Sequence, residues 1–294
     1  THGRGIYDTS IPPATATPTP GGDTATKLTS VSTRGPVGSG DDVMIAGIIV
    51  NGSAAKPAVV RGMGPSLATF GIASAIGDTT LELHDAQGTQ IAFNDDYGSN
   101  STGDLAVLSA YNLTPRDARE AAIVRTLPPG NYTAVMRGKT NGMGLLEAYD
   151  IRRDIPGDFL AVSTRGRVEP NDDGTMIVGF VIAAPAGFPA TSKRVVIRAR
   201  GPSLAENGVR GVLQDPTMDV YRGVTKIYSN DNWGTQTSSG VGTPAEIQAT
   251  GFAPPNSKEP AILVTLEPGS YTAVIRGRNN TAGVAIGEVY RINE

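Results

Sequence analysis

A twelve-residue stretch, LPPGNYTAVMRG at Leu127 to Gly138, returns at Leu266 to Gly277 as LEPGSYTAVIRG, with nine of twelve positions identical. In each copy a Pro-Gly pair launches a segment whose side chains alternate. Tyr132, Ala134 and Met136 fall on one face, and Thr133, Val135 and Arg137 on the other. The second copy sets Tyr271, Ala273 and Ile275 against Thr272, Val274 and Arg276. Alternation behind a turn signal predicts a half-buried β-strand. A strand duplicated this closely implies a duplicated domain.

Further landmarks pair in the same order. Ser32-Thr33-Arg34-Gly35 matches Ser163-Thr164-Arg165-Gly166, and Gly64-Pro65-Ser66-Leu67 matches Gly201-Pro202-Ser203-Leu204. Asn94-Asp95-Asp96-Tyr97-Gly98 matches Asn230-Asp231-Asn232-Trp233-Gly234, and Glu147-Ala148-Tyr149 matches Glu288-Val289-Tyr290. Repeat one spans 28–153, a short link 154–158, and repeat two 159–294. The spacing between landmarks changes most where NGSAAK becomes APAGFPATSK, which places a surface connection there. Val43 to Val50 and Met176 to Ala183 are near-continuous apolar runs, as central strands are. With 37 Gly, 21 Pro and 18% charged residues, the balance is that of a turn-rich all-β chain. About eight strands per repeat predict two tandem antiparallel β-sandwich domains of jelly-roll-like form. One short helix per repeat is expected, with a capping box at Thr243-Pro244-Ala245-Glu246 and Asp104 as the matching cap.

Composition also excludes function classes. A net charge of -3 without a basic run gives no footprint for nucleic acid. No apolar stretch approaches the ~20 residues of a membrane-spanning helix. The absence of cysteine removes disulfides and thiolate metal sites, and suits an exported bacterial protein. A chain opening on Thr1 is what removal of a signal peptide leaves.

Two segments carry a family resemblance. TLELHDAQGTQIAFNDDYG, followed after a variable loop by EAAIVRTLPPGNYTAVMRGKTNGMGLLEAYDI, resembles the bacterial pre-peptidase C-terminal type of domain. PTMDVYRGVTKIYSNDNWG with EPAILVTLEPGSYTAVIRGRNNTAGVAIGEVY resembles it equally. The resemblance covers about 70 residues of each repeat and rests on the order of turns and strands. It implies a secreted jelly-roll-like sandwich of the kind that accompanies exported hydrolases and surface proteins. The STRG and GPSL segments stand outside that pattern and look like tandem repeats of large bacterial surface proteins.

Residues 1–27 form an arm of different character. Gly5-Ile6-Tyr7-Asp8-Thr9-Ser10-Ile11 has the composition of one short strand, and the Pro/Thr tract behind it reads as extended, near polyproline II. That tract separates the segment from any strand partner in the first sandwich. At roughly 3 Å per residue it spans some 35 Å. Gly5-Ile6-Tyr7-Asp8 also echoes Glu147-Ala148-Tyr149-Asp150. Together these predict strand addition to a neighbouring copy, making a homopolymer. Folding back onto its own domain is the alternative.

No catalytic constellation is legible. The histidines are His2 and His84, and repeat two has Tyr221 where repeat one has His84. Gly62-Met63-Gly64 and Gly201-Pro202 lack the Lys-Ser/Thr of a phosphate loop. Asp95, Asp96, Asp172, Asp173 and Asp231 offer clustered oxygens of the kind Ca²⁺ takes, and are equally what turns want for their own hydrogen bonding. Arg61, Arg137 and Glu147 recur as Arg198, Arg276 and Glu288, which reads as structural ion pairs more readily than as a ligand clamp. Tyr97 and Trp233 suit either stacking on sugars or capping the sandwich. These readings give an extracellular or cell-surface structural subunit, without catalytic residues or a required cofactor. The alternative is a glycan- or surface-binding accessory module.

Overall fold

The alternation in the duplicated stretch becomes a strand in each repeat, with Tyr132, Ala134 and Met136, and Tyr271, Ala273 and Ile275, turned into the core. The computed structural model of the chain describes residues 25–38, 42–171, 174–235 and 240–292. The expected arm strand Gly5 to Ile11, Asp172 and Asp173 lie outside the described residues. Repeat one contributes β1 (Lys27–Val37), β2 (Met44–Asn51), β3 (Lys56–Met63), β4 (Thr79–His84), β5 (Gln90–Asn94), β6 (Ala121–Leu127), β7 (Gly130–Gly138) and β8 (Gly142–Asp150). Repeat two contributes β9 (Asp158–Val168), β10 (Met176–Ala183), β11 (Lys193–Arg200), β12 (Pro216–Arg222), β13 (Thr225–Asn230), β14 (Ala261–Leu266), β15 (Gly269–Gly277) and β16 (Gly283–Arg291).

The fold is all-β and antiparallel, and its described residues form a sandwich of two eight-stranded sheets. Neither sheet belongs to one repeat. One runs β13-β12-β15-β10-β1-β8-β3-β6 and the other β14-β11-β16-β9-β2-β7-β4-β5. Replacing every strand by its counterpart turns one order into the other read backwards. An approximate twofold therefore relates the repeats and exchanges the sheets. Register obeys it: Thr33 faces Val178 across β1 and β10, and Thr164 faces Ala46 across β9 and β2. The two threonines meet inside the sandwich, Oγ1 to Oγ1 at 2.8 Å, with both side chains buried. This accounts for the STRG motif. Thr supplies the contact near the axis, and Gly keeps the facing sheet close. A Cβ on Gly35 would stand 3.3 Å from Met44 Cε, and one on Gly166 3.2 Å from Met176 Cε.

One apolar core continues through both repeats, from Leu28 and Ile48 to Tyr271 and Val289. Burial of this kind is worth roughly 25 cal/mol per Å² of apolar surface, so the seam contributes to stability as any core layer does. A satellite cluster lies outside each sheet, under a helix. α1 (Thr102–Ala110) places Leu108 over Val59 and Ala122, and α2 (Pro244–Ala249) places Ile247 over Val196 and Leu263. Thr243 and Glu246 form the expected capping box. In repeat one the cap is Ser101 rather than Asp104. Asp104 matches Glu246 at the third helical position, and its carboxylate accepts a hydrogen bond from Ser101 Oγ at 2.7 Å.

The link between repeats is wound around two buried lysines. Lys27 Nζ donates to the carbonyls of Arg153, Ile155 and Gly157 at 2.8, 3.0 and 2.7 Å. Lys56 Nζ donates to those of Arg152 and Ile155 at 2.6 and 2.8 Å and lies 3.0 Å from Asp150. Burial pulls the Lys56 ammonium below its ordinary range and pushes the Asp150 carboxyl above its own, against their mutual attraction. In repeat two Asp158 and Arg291 stand at the positions of Lys27 and Asp150 with the signs exchanged, and they pair at 2.8 Å.

Candidate functional site

Each repeated polar motif can be followed to its partners. Pro65 and Pro202 open short 3-10 helices, whose first amides have no partner within the helix. Those amides converge on a buried carboxylate. Glu120 Oε1 accepts from Gly64 N–H, Ser66 N–H and Ser66 Oγ–H at 2.9, 2.9 and 2.6 Å. Glu259 Oε1 accepts from Gly201 N–H, Ser203 N–H and Ser203 Oγ–H at 2.8, 2.9 and 2.7 Å. The other oxygens take the amides of Asp117 and Asn256, each at 3.3 Å. GPSL thus builds an anion-binding nest and fills it with the protein's own carboxylate. Sequence reasoning missed Glu120 and Glu259. Their signal was the matched Glu opening EAAIV and EPAILV.

Arg61 and Glu147 face each other on neighbouring strands β3 and β8. Arg61 Nε and Nη2 donate to Glu147 Oε2 at 3.0 and 2.6 Å, and Nη1 donates to the Leu113 carbonyl at 2.9 Å. Tyr149 completes the group, donating its hydroxyl proton to Glu147 Oε1 at 2.7 Å. Burial, the largest single effect, would lower the Arg61 pKa, but the charges and hydrogen bonds of Glu147 and Tyr149 together outweigh it and hold the guanidinium above its ordinary range. Burial, and then Glu147, push Tyr149 well up. Repeat two reproduces the group with Arg198 Nε donating to Glu288 Oε2 at 2.5 Å and Nη1 to the Phe252 carbonyl at 2.6 Å. Each arginine thereby ties the loop after the helix to the sheet. Arg137 and Arg276 do not join these groups. They sit outward, Arg137 against Glu82 at 3.2 Å and Arg276 against Asp219 at 3.7 Å, exposed enough for such pairs to contribute little.

The acidic loops divide between structure and surface. Asn94 Oδ1 accepts from Ala122 N–H at 2.9 Å, and Asn230 Oδ1 from Ala261 N–H at 2.9 Å. The first residue of NDDYG and NDNWG therefore clips each loop to β6 or β14. Tyr97 and Trp233 lie half-buried against the satellite clusters, with their amides donating to the Glu120 and Glu259 carbonyls. Asp78, Asp95 and Asp96 place carboxylate oxygens within 4.8 Å of one another. Lys139 Nζ lies 3.0 Å from Asp78 and 3.1 Å from Asp95. Asp231 pairs with Arg278 in the matched position. A metal ion entering either loop would have to displace a resident cationic side chain.

One surface depression differs sharply between the copies. In repeat one a cavity of about 390 Å³ has Met63, Leu67 and Leu145 at its base and Phe70, Ser109, Asn112, Thr114 and Arg116 at its rim. The Arg116 guanidinium lies over the Phe70 ring, 5.0 Å from its centre. In repeat two Arg200 replaces Met63 and donates to Ser203 Oγ at 2.9 Å, while Asn207 replaces Phe70.

No protein-family model matches the chain, and no curated protein is similar to it. Among solved structures, the pre-peptidase C-terminal domain of a collagenase from Bacillus anthracis is 13% identical. That likeness covers 42% of this chain and 89% of that domain, with a TM-score of 0.25. The lipase BlEst2 of Bacillus licheniformis in its propeptide form is 8% identical over 55% of this chain and 38% of the lipase, at a TM-score of 0.27. The structure of melon necrotic spot virus is 8% identical over 91% of this chain and 81% of that one, at 0.17. Likenesses this low carry no argument about the chain's activity. Among the described residues, no helix is long and apolar enough to cross a membrane.

Proposed function

We propose that the protein is a non-catalytic structural subunit of an extracellular assembly, in which Gly5–Ile11 of one copy adds as a strand to the next. The observation that carries this reading is where the repeated chemistry points. The Thr33–Thr164 contact, the two glutamate nests, the two Arg–Glu–Tyr groups and the two Asn clips are each engaged with the protein's own groups, and they hold strands and loops together. What the repeat preserves is architecture, as a building block requires. The extracellular setting rests on the sequence resemblance to secreted sandwiches and on the lack of cysteine. Removal of residues 1–12 tests the reading. Negative-stain images of the native chain should show polymers and those of the shortened chain separate folded particles. Undiminished polymers would sink it.

The Phe70 depression favours a second reading, a glycan-binding accessory module. An exposed aromatic ring beside hydroxyl and amide side chains suits a pyranose. Saturable glycan binding by the native chain, lost in Phe70→Ala, would establish this second reading.

A further inference from the structure

A sheet's outer strands carry backbone groups that must find partners or water. Among the described residues the sandwich has four outer strands, β13 and β6 in one sheet, β14 and β5 in the other. Two are covered. On β6 the Ala122 amide donates to Asn94, and its carbonyl accepts from Asn100 Nδ2 at 2.9 Å. On β14 the Ala261 amide donates to Asn230, and the Leu263 carbonyl accepts from Gly242 N–H at 2.7 Å. The third, β13, is guarded by charge. Lys226 is exposed there, 3.6 Å from Asp219, and an edge lysine opposes pairing with another chain. The fourth, β5, has neither device. Gln90-Ile91-Ala92-Phe93-Asn94 holds no charge, its strand partner among the described residues is β4, and Phe93 is 55% exposed.

We infer that β5 is the edge that accepts an added strand, and that its occupant is Gly5–Ile11 of a second copy. The inference rests on the strand-donation reading above and names the surface that reading needs. The slot that Gly5-Ile6-Tyr7-Asp8 echoes is taken. β8 lies between β1 and β3, and β16 between β9 and β11, so the arm adds outside a sheet instead of replacing a strand. Reach admits the second copy, as strand donation requires. The described chain begins beside the seam, where Thr26 Oγ1 accepts from Thr191 N–H at 2.7 Å. From there the same subunit's β5 is three strands along and one sheet across. At ~4.8 Å per strand and ~10 Å between sheets, that is about 17 Å. The tract Ile11 to Pro20, IPPATATPTP, carries four prolines. From its composition such a tract reads as an extended spacer of about 30 Å, long enough to carry the arm to a neighbouring copy.

The test exchanges the chemistry of the two open edges. Gln90→Lys with Phe93→Ser gives β5 the residues that β13 carries at matched positions, Lys226 and Ser229. Three preparations are compared by light scattering and negative stain: native, Q90K/F93S, and the chain lacking residues 1–12. A labelled peptide of residues 1–20 is also titrated onto the shortened chain, with thermal melting as the check on folding. The expected result is that both altered chains stay folded and lose polymers, and that Q90K/F93S on the shortened chain weakens peptide binding at least tenfold. Polymers from Q90K/F93S but none from the shortened chain would overturn β5 as acceptor and leave strand donation standing. Native-like polymers from the shortened chain would overturn both. A native chain that is monomeric, and binds added peptide only after truncation, would show the arm docked on its own subunit and overturn the second-copy assignment.

Discussion

The two repeats share a skeleton and differ in what they attach to it. Glu120 and Glu259, Arg61 and Arg198, and Asn94 and Asn230 occupy matched positions with matched partners. By contrast, Lys27 grips the linker from a strand end where repeat two has Asp158, paired with Arg291. Phe70 overlooks a depression that has no counterpart aromatic, and uncharged β5 matches β13 with its lysine. The comparison separates two kinds of requirement. Residues kept twice satisfy buried backbone and charge, and they cannot change without leaving donors or acceptors stranded. Residues present once are those the fold can do without, so they mark where the copies have taken different tasks.

The comparison breaks most completely if the repeats are cut apart. Each seam pairing spans seven register partners, β1 with β10 and β2 with β9. Separation exposes two interior strands on each half, together with the apolar layer between them. Because the halves are related by a twofold, a lone repeat has its missing partner in another copy of itself. Residues 25–153 alone should form a homodimer, with β1 of one copy on β2 of the other and Thr33 facing Thr33. Light scattering gives the mass, and hydrogen exchange at β1 and β2 reports the pairing. A monomer melting as cooperatively as the whole chain would show that the shared core is dispensable.

The next largest effect tests whether the repeated nests are equivalent. Glu120→Ala and Glu259→Ala each strand two amides and a hydroxyl inside the protein, together with the amide of Asp117 or Asn256. Each should cost at least about 3 kcal/mol, because a buried donor left without its acceptor costs about 1–3 kcal/mol and each variant strands several. Urea unfolding of the two variants should give midpoints close to one another. A large difference would mean that one nest is held together by something besides its carboxylate.

How much of this was legible in the sequence follows from the range of each interaction. Strands announce themselves locally, through alternation and flanking turns, so Met176–Ala183 and the Tyr132 and Tyr271 faces could be read directly. The duplication fixed which residues correspond. It could not reveal that β1 pairs with β10 instead of closing its own sandwich, because the choice between those edges leaves no mark on either strand. Thr33 and Thr164 stood out as a repeated motif. Their contact required the twofold to be known. Glu120 was missed for a related reason, since a buried Glu is recognised by the amides around it and those come from a segment more than fifty residues away. Ser101 was overlooked as the helix cap because Asp104, three residues on, is also a good capping residue, and only geometry orders the two.

The smallest expected effect sharpens the comparison on the surface, at the position where His84 in repeat one meets Tyr221 in repeat two. Both sit just after an irregularity in register, on β4 and on β12. His84 Nε2 lies 2.9 Å from Glu82 Oε2, and Nδ1 lies 3.1 Å from the Gly88 carbonyl. The hydrogen bond with Glu82 raises the imidazole pKa above its ordinary value, against a smaller opposing effect of burial. A raised folded-state pKa means that the folded protein binds the proton more tightly than the unfolded chain does. The stabilisation is therefore complete below the unfolded value of about 6.5 and is lost as pH rises through the folded pKa. Partial exposure keeps it below about 1 kcal/mol. Thermal melting at intervals from pH 5.5 to 8.5 should show native stability falling slightly across this window relative to His84→Tyr, which installs the residue of repeat two and removes the titrating group. The difference between the two curves isolates His84 from every other ionisation. If that difference is flat, the His84–Glu82 contact contributes nothing to stability, and if it grows with pH, the imidazole is neutral in the folded protein.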